Sequence, residues 1–270
     1  MHNRCSAIAP LSLALAVEMD ASMLFKYRNL CDSSKNLCPR TMEIIELGRV
    51  FIPSIEKLND PFEKLITFTT DQSISSIKEL ASAENIEKAY EIDPGLADWL
   101  KETYEDCKEI ESQTQEIARL YHELYEAGIY SLSEVNDSII MWSHYAKNHE
   151  GVCIGFDRKD LENTGNLIKV KYVKKAPTEL TKTNRRSPAK YFHKHKYFQW
   201  SYEKEFRLIL EDTKDKHIDF PAKIKAIYYG AKVKPEFLAQ SLPRIPKGID
   251  VYIFKLSEKD FKLHPEKINR

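Results

Sequence analysis

The charged residues with the clearest chemical potential alternate along one segment of the C-terminal half. Glu203, Glu205 and Arg207 are separated by single residues, so a strand from Tyr202 onward would place all three side chains on one face. Three charges beside a hydrophobic run are unfavourable unless they form ion pairs or serve a function in a site. One interpretation is a salt-bridge ladder in which Arg207 neutralises one glutamate. The other is a pair of carboxylates in a cleft that holds a sugar hydroxyl or stabilises positive charge.

A second polar cluster consists of Ser143, His144 and Tyr145. It lies on a helix predicted over residues 138–148, with Asp137 as the N-cap. Tryptophan, tyrosine and histidine recur along one face of this helix, a spacing more typical of a core with a polar rim than of a binding platform. The cluster is therefore a candidate binding site, and the alternative is that its residues belong to the core and its polar rim.

Lys26, Tyr27 and Arg28 end a short strand candidate near the N-terminus. Basic residues at a strand end are usually solvated, but they can equally bind a phosphate. Arginine binds phosphate through two parallel hydrogen bonds. The sequence contains no Walker loop, no GxGxxG and no GxSxG pattern. The sequence therefore gives no support for a P-loop nucleotide-binding enzyme, a Rossmann dinucleotide-binding enzyme or an α/β-hydrolase.

A metal site is not expected. His144, His149 and Cys153 are residue types that bind metals, but no CxxC or HExxH pattern joins them. Cys153 lies on a predicted strand and is expected to be a small buried hydrophobe.

The arrangement of helical and strand patterns predicts a single α+β domain over residues 23–270, with a mostly antiparallel sheet. Strand candidates dominate the C-terminal half, and a helical pattern at about 74–127 is interpreted as an insertion that covers the sheet. The pattern also predicts a strand over 167–173 and a helix over 187–198.

Residues 1–22 are interpreted as an extension outside the core. The apolar stretch 7–17 follows Arg4 and is similar to a secretion signal. Pro10 interrupts this stretch, and five scattered cysteines fit export poorly. We therefore favour a non-native upstream start, with Met19 or Met23 as the real one, and a reducing, cytoplasmic setting. No apolar run approaches the roughly 18 residues that span a bilayer, and no membrane association is expected.

The charges are balanced overall, with 41 basic and 41 acidic residues, but they are segregated along the chain. Residues 79–126 contain 14 acidic and 4 basic residues, whereas residues 169–207 contain 12 basic and 3 acidic residues. The second segment is also rich in aromatic residues. It predicts either an anionic partner such as nucleic acid or a face that packs against the acidic segment.

Several of these clusters, in this order, resemble an uncharacterised bacterial family, the domain-of-unknown-function family 2971. The resemblance runs from about Met23 to the predicted strand Ile224–Gly230 and implies no particular reaction. The matching stretches are Phe25–Arg28, Gly48–Phe51 with Leu58–Glu63, Met141–Ala146 with Gly151–Phe156, and Trp200–Arg207.

A weaker resemblance is to ADP-ribosyltransferases. These enzymes carry an arginine or histidine on the first core strand, a polar or hydroxyl-aromatic position on a middle strand and a late glutamate. Here Arg28, the cluster at 143–145 and the sequence Glu203-Lys204-Glu205 follow in that order. The sequence departs from that pattern in having no Ser-Thr-Ser motif, and its Ser143 lies on a predicted helix.

This resemblance implies roles for individual residues. Glu205 would be the catalytic glutamate, with Glu203 and His144 as further catalytic residues. Arg28 would contact the pyrophosphate or ribose of NAD. The other residues expected at the cofactor site are Lys26, Tyr27, Ser143, Tyr145 and Arg207.

The leading functional hypothesis is therefore an NAD-using enzyme that is ADP-ribosyltransferase-like or NAD glycohydrolase-like. It would bind a nucleotide-like small molecule, act with a protein or nucleic-acid acceptor, and suit a bacterial toxin or defence effector. The first alternative is a protein that binds or processes nucleic acid through residues 169–207. The second is a non-catalytic binding module.

Overall fold

The computed structural model describes residues 22–64, 126–175 and 188–270, together with positions 87, 94–95, 97–98 and 101–102. The predicted extension 1–22 lies outside the described residues except for Ser22, whose carbonyl accepts a hydrogen bond from the Arg158 amide. Most of the predicted helical insertion at 74–127 also lies outside them.

Twelve strands are present in this part of the chain. They are β1 Met23–Arg28, β2 Arg49–Ile52, β3 Gly128–Ser133, β4 Val152–Asp157, β5 Leu167–Lys169, β6 Lys171–Val173, β7 His195–Tyr197, β8 Glu205–Leu210, β9 Lys216–Asp219, β10 Ile224–Tyr229, β11 Asp250–Leu256 and β12 Leu263–Lys267.

Five α-helices with described bounds accompany the strands: α1 Pro39–Leu47, α2 Ile139–Tyr145, α3 Arg158–Asn163, α4 Pro188–His193 and α5 Pro235–Ser241. Positions 87, 94–95, 97–98, 101–102 and 126 are also helical. Short 3-10 helices cover Ile55–Lys57, Pro61–Lys64, Phe198–Glu203 and Leu242–Arg244.

Eight strands form one sheet in the order β12-β11-β10-β4-β1-β3-β8-β5. Its pairings are antiparallel except between β10 and β11, which are parallel and are joined through α5. Two further pairs, β2 with β9 and β6 with β7, form small separate sheets. The fold is therefore α+β with a mostly antiparallel sheet, as predicted.

Side chains alternate between the two faces of the large sheet. On β1, Leu24 joins a core cluster with Ile154 and Leu208 on one face. Phe25 and Tyr27 join a second cluster, which includes Trp142, on the other face. Lys26 and Arg28 therefore point toward the face of Leu24.

Two predicted helices end earlier than expected. The helix predicted over 138–148 is α2, which ends at Tyr145 because Lys147, Asn148 and His149 have positive φ values of 49, 54 and 70°. Its N-cap is Ser138 rather than Asp137, and the Ser138 hydroxyl accepts from the Met141 amide.

The helix predicted over 187–198 is also shorter. Only α4 is α-helical there, and the chain then forms β7, which pairs in parallel with β6. The strand predicted over 167–173 divides into β5 and β6 at Val170, whose amide donates to the Glu205 carbonyl.

Candidate functional site

Strands β1 and β3 diverge after one pair of residues. Phe25 lies opposite Ser133, and β1 then continues to Arg28 beside β4 with no further partner on β3. The Lys26 ammonium spans the gap with a 2.7 Å hydrogen bond to the Ser131 carbonyl. A cavity of about 80 Å³ lies at this gap, and Glu203 and Glu205 are among the residues that line it.

The two glutamates reach this cavity from different elements. Glu203 ends a 3-10 helix and Glu205 begins β8, with Lys204 between them in the left-handed conformation at φ 43°. The strand predicted from Tyr202 therefore begins only at Glu205, and its prediction was wrong for Glu203. The left-handed residue nevertheless turns both carboxylates to the same side.

Glu205 is held by Arg207 from the same face of β8. Arg207 Nε lies 2.8 Å from Glu205 Oε1, and Arg207 Nη2 lies 3.0 Å from Oε2. Both residues are almost fully buried, at 3% and 1% exposure. The Arg207 Nη1 group also donates to the His193 carbonyl at 2.9 Å.

Two residues outside the predicted site complete a buried ion-pair cluster. Lys196 Nζ lies 2.6 Å from Glu203 Oε2 and 3.0 Å from Glu205 Oε2. Glu63 Oε2 lies 2.7 Å from Arg207 Nη1, and Glu63 Oε1 lies 3.6 Å from Lys196. Three carboxylates therefore share two cations, which leaves the cluster with one excess negative charge when all groups are ionised.

These contacts shift the ionisation of the cluster. Burial raises the pKa of Glu205, but the Arg207 guanidinium and the Lys196 ammonium outweigh it and lower that pKa to about 2. Burial disfavours charged Lys196, yet the surrounding carboxylates raise its pKa above the ordinary value. Burial raises the pKa of Glu63 despite the opposing effect of Arg207. Glu63 is therefore the easier of the two glutamates to protonate.

A chain of hydrogen bonds connects the cluster to the surface. The Tyr145 hydroxyl donates to Glu203 Oε1 at 2.5 Å and accepts from Asn59 Nδ2 at 2.5 Å. Asn59 is exposed, whereas Glu203 is only 4% exposed. Burial and the hydrogen bond to Glu203 both raise the pKa of Tyr145, so it remains a neutral donor.

Among the predicted residues, Lys26 is the one that bridges the gap between β1 and β3. Burial of its ammonium group, followed by repulsion from Arg28, lowers its pKa to about 7. The carboxylates of Glu205 and Glu203 partly oppose this shift. Lys26 therefore changes charge near neutral pH and couples to both glutamates.

Other predicted residues are occupied elsewhere. The Tyr27 ring lines the cavity, but its hydroxyl donates to the Val135 carbonyl at 2.9 Å. Ser143 donates to the Ile139 carbonyl at 2.9 Å and lies 3.3 Å from His149 Nε2. His144 is exposed, and its nearest polar contact is the Tyr202 hydroxyl at 3.3 Å.

Arg28 does not join Glu205 at the same cavity. It lies on the opposite face of the sheet and lines a second cavity of about 250 Å³. The structure therefore brings Tyr145, Glu203, Glu205 and Arg207 together with Lys26, which lines both cavities, and it separates Arg28, Ser143 and His144 from the two glutamates.

Glu63 and Lys196 were missed as site residues because their partners are distant in sequence. Glu63 belongs to the Leu58–Glu63 stretch that carries the family resemblance, which was the signal that could have identified it. Lys196 lies among many basic residues of the 169–207 segment, so charge alone did not distinguish it.

Within the part of the chain that the structure describes, no group of three or more His, Cys, Asp or Glu residues is placed to hold a metal ion. Over the same residues, no helix is both long and apolar enough to cross a bilayer.

Residues 141–208 match one family model. The model is described as Protein of unknown function (DUF2971). The predicted resemblance is thus confirmed over these residues, and the matched segment supplies Tyr145, Lys196, Glu203, Glu205 and Arg207. Lys26 and Glu63 lie outside the matched residues. No curated protein and no solved structure matches the chain, so the ADP-ribosyltransferase resemblance stays a prediction.

Proposed function

We propose that the cavity between β1 and β3 binds the ribose end of a nucleotide-like molecule, and that NAD is its substrate. The observation that supports this proposal is the meeting of Glu203, Glu205 and Tyr145 at one cavity. Carboxylates beside a reacting sugar stabilise an oxocarbenium-like transition state. In a glycohydrolase, NAD and water give nicotinamide, ADP-ribose and a proton. In a transferase, an acceptor nucleophile replaces the water.

Glu203 is better suited than Glu205 to contact the substrate. Both oxygens of Glu205 are engaged by Arg207 and Lys196, which offset its charge. One oxygen of Glu203 instead accepts from the Tyr145 hydroxyl, and a ribose hydroxyl can take that place. We therefore assign the substrate contact to Glu203 and a positioning role to Glu205, whereas the sequence-based hypothesis made Glu205 the catalytic glutamate and Glu203 a further catalytic residue.

The size of the cavity imposes a condition on this reaction. A volume of about 80 Å³ holds a few water molecules and is well below the roughly 300–1,000 Å³ of small-molecule pockets. Asn59 and Tyr145 form the exposed side of the cavity and are joined by a single hydrogen bond. Binding of NAD therefore requires this contact to open.

The proposal is tested by incubating the purified protein with NAD and quantifying nicotinamide by chromatography. The incubation is repeated with protein and with nucleic-acid acceptors. Nicotinamide release supports the proposal, and NAD binding without release supports the non-catalytic binding module. A protein that neither binds nor cleaves NAD under any of these conditions contradicts both interpretations.

The nucleic-acid alternative rests on residues 169–207, of which 169–175 and 188–207 are described. Lys196 and Arg207 are buried in the ion-pair cluster, so neither can meet a phosphate backbone. Phe198 is 40% exposed, and the Lys174 ammonium lies 5.9 Å from the centre of its ring. An aromatic ring beside a cation is a platform for a single-stranded base. Binding of single-stranded nucleic acid that falls steeply with salt and weakens in Phe198→Ala would favour this alternative.

A further inference from the structure

The second cavity lies on the Arg28 face of the large sheet and is built mainly from basic residues. Its volume is about 250 Å³, and its walls come from β1, α1, β2, β3, β9 and the segment after β2. The basic side chains that line it are Lys26, Arg28, Arg40, Lys57 and His217. Glu43 is the one acidic residue among them.

Two polar groups in the wall of this cavity have no hydrogen-bond partner among the described residues. They are the Nε of Arg28 and the hydroxyl of Tyr130, and both atoms are inaccessible to solvent. Tyr130 is only 3% exposed. Buried donors are normally satisfied, and an unpaired one disfavours folding. Two unpaired donors beside one cavity therefore indicate a place for an acceptor.

The charge of the cavity favours an anion with more than one negative charge. Within the described chain, neither Arg28 nor Arg40 has a carboxylate at ion-pair distance, whereas Lys57 pairs with Asp215 at 2.8 Å. Glu43 is shared between His217 at 3.2 Å and Arg49 at 3.7 Å.

The positions of the basic side chains suggest a route from the surface to the unpaired donors. Arg40 and Lys57 are exposed and lie 5.1 and 5.2 Å from the ring centre of Phe51. Arg28 is half-buried and Tyr130 is buried behind them. Burial raises the pKa of Tyr130 although Arg28 opposes the shift, so its hydroxyl is a neutral donor for an incoming oxygen.

We propose that this cavity binds a phosphate group, either as inorganic phosphate or as the phosphate of a small phosphomonoester. The arginine forks of Arg28 and Arg40 match the geometry of phosphate oxygens, and the Tyr130 hydroxyl supplies a further donor. Lys26 lines both cavities. The donors assigned to phosphate are Arg28, Arg40 and Tyr130, which line only the second cavity, so the proposed site is distinct from the one proposed for NAD.

The test is a calorimetric titration of the full chain with inorganic phosphate and, separately, with adenosine monophosphate. Arg28→Gln should weaken phosphate binding by roughly tenfold or more, and Tyr130→Phe by roughly 3- to 10-fold. The matched control is Lys255→Gln, which removes an exposed cation from β11 and should bind as the wild type does. Tighter binding of the nucleotide than of phosphate would identify a nucleotide ligand, and binding of phosphate alone would identify the free ion.

Thermal unfolding without ligand separates a binding role from a structural one. Because the Tyr130 hydroxyl has no partner in the described structure, Tyr130→Phe should melt at the wild-type temperature or above it. Two results would overturn the proposal: a wild-type protein that binds neither phosphate nor adenosine monophosphate, or undiminished phosphate binding in folded Arg28→Gln and Tyr130→Phe. Neither result depends on NAD turnover.

Discussion

Arg207 holds Glu205, two residues before it on the same strand, through two parallel hydrogen bonds of 2.8 and 3.0 Å. This geometry matches the alternative in which Arg207 neutralises one glutamate of the pair. The remaining glutamate, Glu203, is tied to Lys196 and to the Tyr145 hydroxyl. The two carboxylates are therefore in different electrostatic situations although only one residue separates them.

Loss of the Arg207 side-chain charge should destabilise the fold strongly. Arg207→Met leaves the buried carboxylates of Glu205 and Glu63 without their shared guanidinium. Removing one partner of a buried ion pair lowers the free energy of unfolding by about 3–5 kcal/mol, measurable by urea denaturation. Lys262→Met is the control, since it breaks an exposed contact with Asp260 and should change stability by less than about 1 kcal/mol. A similar small change for Arg207→Met would mean that the cluster is not formed in solution.

Glu205 should contribute to stability above about pH 4.5 and lose that contribution in acid. Its pKa in the folded protein is about 2, below its ordinary value of 4.5. The unfolded chain therefore binds more protons between these pH values, and stability falls as the pH drops through them. In Glu205→Gln, the free energy of unfolding should depend less steeply on pH between about 4.5 and 2. Parallel profiles for the variant and the wild type would refute this shift.

Lys26 should produce a dependence of the same sign at higher pH. Its folded-state pKa of about 7 lies below its ordinary value of 10.5, under the influence of burial, Arg28, Glu205, Glu203 and Lys196. The unfolded chain binds the extra proton between these values, so this residue makes stability rise with pH by at most about 1.4 kcal/mol per unit. The wild type should gain stability relative to Lys26→Met as the pH rises from about 7 to 10. A constant difference across this range would show that Lys26 keeps its ordinary pKa.

The hydrogen-bond chain at the edge of the cavity predicts unequal effects for its two members. Tyr145→Phe removes the donor to buried Glu203 and should lower the free energy of unfolding by about 1–3 kcal/mol. Asn59→Ala removes an exposed amide and should stay within about 0.5 kcal/mol of the wild type. Chemical denaturation of both variants measures the contrast, and equal losses would argue against it.

Local signals predicted the elements that frame the site. The apolar spacing of α1 and the Gly48 that follows it with φ 67° are local signals that predict this helix. Strands β4 and β10 are rich in apolar and aromatic residues and lie in the centre of the sheet. The candidate residues Glu203, Glu205 and Tyr145 belong to motifs of distinct composition, and all three line one cavity.

The remaining features depend on contacts between distant segments. Strand β7 exists because His195 and its neighbours pair with β6, and this tertiary pairing overrides local helical propensity. Strand β12 was missed because it contains Pro265, which is tolerated where a strand lies at the edge of a sheet. The separation of Arg28 from Glu205 follows from strand register, which fixes the face of each side chain and cannot be derived from motif order.

The rate of nicotinamide release from NAD by Glu203→Gln, compared with the wild type and Glu205→Gln, tests the proposed function most directly. If Glu203 stabilises the developing positive charge, its loss should lower kcat by roughly 10²–10³-fold with NAD binding nearly kept. Activity of Glu205→Gln should instead decrease in parallel with its folded fraction, which circular dichroism measures in the same samples. Wild-type protein that releases no nicotinamide, or folded Glu203→Gln that releases it at the wild-type rate, would contradict the assignment.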